Sequence, residues 1–185
     1  MRKSFLITVG VFIGVVILIN LLVDNPTFDK LSDKADFELK TNQPSLAEKT
    51  LLQIVLKDSL NIENHYRYIS AHFDIPERKK VGKHEFEHRD DHTIQKFYSS
   101  LAQSTDNNIA DIGFYGKGLI LVNFKNYTSS ILEFQKVKNK SLHYLNNSMG
   151  NAYNKIGNSK LAEEYFRIEI ERNGNLNGAY SNLIQ

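Results

Sequence analysis

The sequence predicts an all-α protein: a single transmembrane helix followed by an α-solenoid of about four degenerate helix pairs. Three observations predict it. Residues 5–23, "FLITVGVFIGVVILINLLV", carry no charge. The apolar residues that follow recur at helical rather than alternating spacing. A small residue, a second small residue and a large apolar residue recur at offsets 0, 12 and 16 in three places.

As a helix, residues 5–23 span ~28 Å at about 1.5 Å per residue, which matches a bilayer core. The run is long for a cleaved signal peptide, and "INLLVDN" offers no small-x-small cleavage site, so the segment reads as an uncleaved anchor. Arg2 and Lys3 lie in the short segment 1–4, whereas Asp24 and Asp29 follow the anchor. Residues 1–4 are therefore expected in the cytoplasm, 24–27 as a linker, and the rest outside, on the periplasmic side of a bacterial inner membrane. Cysteine is absent, which excludes disulfides, thiolate nucleophiles and Cys-bound zinc. Of 23 basic residues two precede the anchor, leaving 21 against 21 acidic ones. A neutral domain is a poor match for nucleic acid, so none is expected as a partner.

Residues 28–185 are expected to form one helical domain, with Pro26, Pro44 and Pro76 marking where segments begin or end. The first pair holds Ala35, Ala47 and Leu51, with Asn42 at the turn. "NIENHYRYISAHF", 61–73, reads as the next helix, with Tyr66, Ile69 and Phe73 on one face. Its partner is "HTIQKFYSSLAQS", 92–104, through Ile94, Phe97 and Leu101, and 74–91 forms a charged insertion between them. "GLILVNF", 118–124, has branched residues that would also suit a buried strand, but its neighbourhood favours a helix. There Gly118, Leu121, Ser130 and Phe134 repeat the register, with Lys125 at the turn. The fullest match is "SMGNAYNKIGNSKLAEEYFRIEI", 148–170, where Gly150, Tyr153, Gly157, Ala162 and Phe166 fall at offsets 0, 3, 7, 12 and 16. The small residues let two helices cross closely, and Gly157 supplies the left-handed turn between them. "NLNGAYSNLIQ" begins a further helix with Ala179, Tyr180 and Leu183, either a lone cap or the edge of a truncated chain.

These offsets resemble those of the tetratricopeptide repeat, and residues 28–185 resemble an array of about four such pairs. The resemblance implies a scaffold whose concave face holds a protein or peptide partner. The positions that carry it are packing residues, so no binding residue is transferred. An anchor followed by "KNKSLHYLNNSMGNAY" and "NGNLNGAYSNL" is also similar to the N-terminal regions of larger bacterial membrane proteins, PrsW-like intramembrane proteases among them. That resemblance implies a sensor or docking region, without the membrane helices that carry protease chemistry.

One catalytic motif is spelled out: His84-Glu85-Phe86-Glu87-His88 fits H-E-x-x-H, and His92 stands four residues further on. A zinc peptidase needs the two His on a helix packed into the fold, with Glu as base and a third ligand from elsewhere. Here "VGKHEFEHRDDH" offers only Val81 and Phe86 as apolar residues. A solvated charged loop is the expected structure, and His84, His88 and His92 are only weak metal candidates. "GFYGKG", 113–118, has glycines but no P-loop pattern. No catalytic residue, cofactor or metal is therefore expected. Candidate partner-binding residues are Tyr115, Asn147, Asn151 and Asn154, aromatic and amide side chains suited to a peptide.

Overall fold

A computed structural model describes residues 26–74 and 89–173. Within them are eight helices and no strand: α1 (Phe28–Lys40), α2 (Pro44–Lys57), α3 (Ile62–Asp74), α4 (Arg89–Leu101), α5 (Asn107–Asn123), α6 (Tyr127–Lys136), α7 (Leu145–Lys155) and α8 (Ser159–Asn173). The all-α class is borne out, and "GLILVNF" lies in helix α5 and the turn after it. The expected anchor 5–23, most of the charged insertion, and the terminal segment from 174 lie outside the described residues. No described helix is long and apolar enough to cross a membrane.

Two boundaries differ from expectation. Asp74 ends α3 and α4 starts at Arg89, so both ends of the proposed 74–91 insertion are helical. Apolar spacing sees a helix only from its first buried residue, here Ile94, although the polar turn before it is already wound. At its other end α4 stops at Leu101 rather than 104, because Ser104 and Asp106 build the next start. Ser104 Oγ accepts from the Asp106 amide at 3.1 Å, and Asp106 then caps α5 by accepting from the Asn108 amide at 2.8 Å.

The turns between α1 and α2, α5 and α6, and α7 and α8 are built alike. Asn42, Lys125 and Gly157 all have positive φ, at 57°, 59° and 82°. The amide after each reaches five residues back: Gln43 to the Glu38 carbonyl at 2.8 Å, Asn126 to Leu121 at 2.9 Å, and Asn158 to Tyr153 at 2.9 Å. This is the Schellman arrangement, which satisfies carbonyls that the helix end leaves open. All three residues stand seven positions after the small residues Ala35, Gly118 and Gly150. Lys125 holds its left-handed backbone against the clash of its own Cβ. Lys125→Gly is therefore expected to raise stability by about 0.5–1 kcal/mol, read from urea unfolding.

The small residues sit where the helices cross. A Cβ on Gly118 would overlap the Phe134 ring, and one on Gly150 would lie 2.5 Å from the Phe166 ring. Ala35, Ala47 and Leu51 are all buried in the first pair. Of the other predicted packing residues, Ser130 and Ala162 are buried, whereas Leu121 and Tyr153 are half-buried. Tyr153 stacks on Tyr165 of α8 at 5.3 Å.

Most helices pack on their sequence neighbours, while α3 also lies on α5 and α5 on α7. The expected pairing of α3 with α4 is not what the described residues form: α3 packs on α2 and α5, and α4 packs on α5. One apolar core cluster, from Leu31 to Ala152, results. Helix α4 approaches α5 through glycines. A Cβ on Gly113 would overlap the Ala102 backbone, and one on Gly116 the Tyr98 ring. Those glycines of "GFYGKG" serve close helix packing.

Candidate partner-binding surface

Three core stripes include an acid. Leu31, Ala35 and Glu38 on α1, Asp111, Tyr115 and Gly118 on α5, and Ala162, Phe166 and Glu169 on α8 each lie on one buried helix face. Each carboxylate is satisfied. Glu38 accepts from the Thr50 hydroxyl at 2.7 Å. Asp111 accepts from the backbone amides of Lys138 at 2.7 Å and Asn139 at 2.8 Å. Glu169 accepts from those of Tyr144 at 2.9 Å, Asn146 at 3.0 Å and Asn147 at 3.2 Å.

Asp111 and Glu169 thereby pin the α6–α7 connection at both ends. Glu169 also places its carboxylate at the N-terminus of α7, where a helix favours an anion. Tyr144 is held at φ 65°, an uncommon conformation for a bulky residue. Its ring stacks on the exposed ring of Tyr66 from α3 at 5.8 Å, with the His143 ring 3.9 Å away. Burial, with Glu63, Tyr66 and Glu169 nearby, pushes the Tyr144 phenol up from its ordinary pKa.

An open groove of 240 Å³ is lined by Leu60, Asn108, Asp111, Ile112, Asn139 and Leu142. Its apolar residues come from the α2–α3 turn, from α5 and from the pinned connection. Asn108 and Asn139 bring amides, and both are exposed. A groove with apolar and amide walls can seat one side chain of an extended peptide while the amides meet its backbone.

The residues proposed from sequence are not all available to a partner. Tyr115 is fully buried, its phenol 3.3 Å from the Ser148 hydroxyl, and burial pushes its pKa well up. It is a packing residue between α5 and α7, because its position falls on the core stripe of α5. Asn147, Asn151 and Asn154 share one face of α7, the first two half-buried and the third exposed. Asn147 joins the Glu169 cap through its backbone amide. His84 and His88 lie outside the described residues, and His92 is exposed on α4. Among the described residues no group of three His, Cys, Asp or Glu is placed to hold a metal.

Sequence reasoning missed Asp111 and Glu169, and it named Tyr144 only as one of eight tyrosines that could line a groove. The acids did leave a signal, a carboxylate in register with a core stripe. The left-handed backbone of Tyr144 left no signal, since a residue of α8 holds its amide. No protein-family model matches the chain, nor does any curated protein sequence.

Proposed function

We propose that the chain is a tetratricopeptide-like scaffold of about four helix pairs, held at a membrane by residues 5–23, that binds an extended segment of a protein partner. The observation that carries this reading is the thrice-repeated pair, with a small residue at each crossing and a left-handed residue seven positions later. The three regular pairs are α1–α2, α5–α6 and α7–α8, while α3 packs on α2 and α5, and α4 on α5. The partner segment lies along Tyr66 and Tyr144 and inserts an apolar side chain between Leu60, Ile112 and Leu142. No catalytic step is assigned to the scaffold itself.

Photo-crosslinking in native membranes tests it. A photoreactive residue at Tyr66 or Leu142 of the full-length protein is expected to capture one partner. The same residue at Lys160, exposed on α8, is expected to capture none. Asp substitution of Leu142 should lower capture from position 66 several-fold. Equal labelling from all three positions would sink the proposal.

A further inference from the structure

His65 is a fully buried imidazole that joins three elements. Its Nε2 lies 2.9 Å from the Ser59 carbonyl in the α2–α3 turn, and its Nδ1 lies 2.9 Å from the Tyr98 hydroxyl of α4. A carbonyl only accepts, so Nε2 carries the hydrogen and Nδ1 accepts from the Tyr98 O–H. Tyr98 is also fully buried, and its ring fills the space over Gly116 of α5. The turn, α3, α4 and α5 are thus linked through one neutral ring.

Protonation breaks this arrangement. With a hydrogen on Nδ1 as well, the ring has only donors, and the Tyr98 oxygen must turn to accept. The Tyr98 O–H then loses its acceptor inside the core, and a charge has been buried. The ionisable groups facing the pair are few. Asp58 in the turn favours the charged ring, while Tyr68 of α3 and Tyr115 of α5 face Tyr98. Burial outweighs Asp58 and holds the His65 pKa below its usual 6.5.

His72, two turns further along α3, makes a contrast. Its Nδ1 meets the Glu48 carboxylate of α2, which accepts from an imidazole or an imidazolium alike. The proton-sensitive pair thus sits on the α3–α4 seam, where the two helix backbones make few close approaches among the described residues.

We propose that His65 is an acid-operated latch: the neutral ring fastens α4 to α3, and its protonation frees α4. The sign follows from linkage. The opened state binds the proton at about 6.5 and the closed state only at lower pH, so opening grows as pH falls through 6.5 and levels off below the closed-state value. The latch is independent of the partner proposed above.

Hydrogen exchange of the full-length protein at pH 7.5 and pH 5.0, corrected for the intrinsic chemical rate, tests the latch. Exchange in α4 is expected to quicken at pH 5.0 by up to about 30-fold, the limit set by ~1.5 units below the usual histidine value. Exchange in α8 is expected to stay level. His65→Gln keeps a donor and an acceptor without titrating, and should abolish the acid response. Tyr98→Phe removes the hydroxyl that fastens the neutral ring, so α4 should exchange several-fold faster than in the unaltered protein already at pH 7.5. An acid response that is absent, an acid response that persists in His65→Gln, or exchange of α4 at pH 7.5 that ignores Tyr98→Phe overturns the latch. If His65→Gln does not fold, the Tyr98→Phe exchange at pH 7.5 decides.

Discussion

Glu169→Ala is expected to destabilise the protein by about 3–5 kcal/mol, the range for stripping a buried charge-assisted network of its acceptor. Glu169 is fully buried, and its two oxygens serve three backbone amides and the Asn173 side chain, which lies 2.7 Å away. Alanine leaves those amides without their acceptor at the start of α7. Thermal unfolding followed by circular dichroism should show a midpoint lowered by roughly 10 °C for a domain of this size. Glu169→Gln keeps one acceptor but turns an amide N–H toward other donors, so about half the loss is expected. Glu163, whose pair with Arg167 is exposed, is the control. Its alanine variant should change stability by less than about 0.5 kcal/mol. A Glu169→Ala protein as stable as the Glu163 control would remove the acid from its assigned role.

The same loss should reach the proposed binding surface. Tyr144 keeps its left-handed backbone while Glu169 holds its amide and those of Asn146 and Asn147. Without the carboxylate that conformation has little to offset its strain. Tyr144 should then leave Tyr66, and crosslinking from position 66 should fall together with stability.

What could be read from the sequence follows from how local each constraint is. The pair that contains Gly150, Gly157, Ala162 and Phe166 was legible in full, because small residue, turn and ring all lie within one hairpin. Asn42 and Lys125 obscured the turn signal, since neither is glycine, yet both adopt the same left-handed backbone. Tyr115 misled for the opposite reason. An aromatic with a polar tip suits a binding surface or a core equally, and only the packing of α7 on α5 decides which. Asp111 and Glu169 act on backbone amides at least 22 residues away in sequence, so no short window of the chain displays the contact. The groove inherits that difficulty, being assembled from a turn, a helix and a connection that two distant acids position.

Gly113→Ala is the second substitution with a large expected effect, about 3 kcal/mol or more, at the upper end of overpacking costs. The new Cβ would overlap the Ala102 nitrogen and stand 2.5 Å from its Cα. Backbone at the end of α4 cannot rotate aside as a side chain can, so α4 and α5 must separate. The three atoms nearest a Cβ on Gly118 all belong to the Phe134 ring, so Gly118→Ala has the milder option of tilting that ring. Gly157→Ala meets nothing within 4 Å and bears only the strain of its positive φ, about 1 kcal/mol. Urea unfolding of the three variants should therefore rank the losses as Gly113, then Gly118, then Gly157. A ranking with Gly157 first would mean that turn geometry governs stability more than helix crossing does. The expected order makes Gly113 the least forgiving of the three close approaches, while α4 also meets α3 through the His65–Tyr98 hydrogen bond and ring contact. Freeing α4 from α3 by acid then leaves it still seated on α5, which confines the latch to one seam.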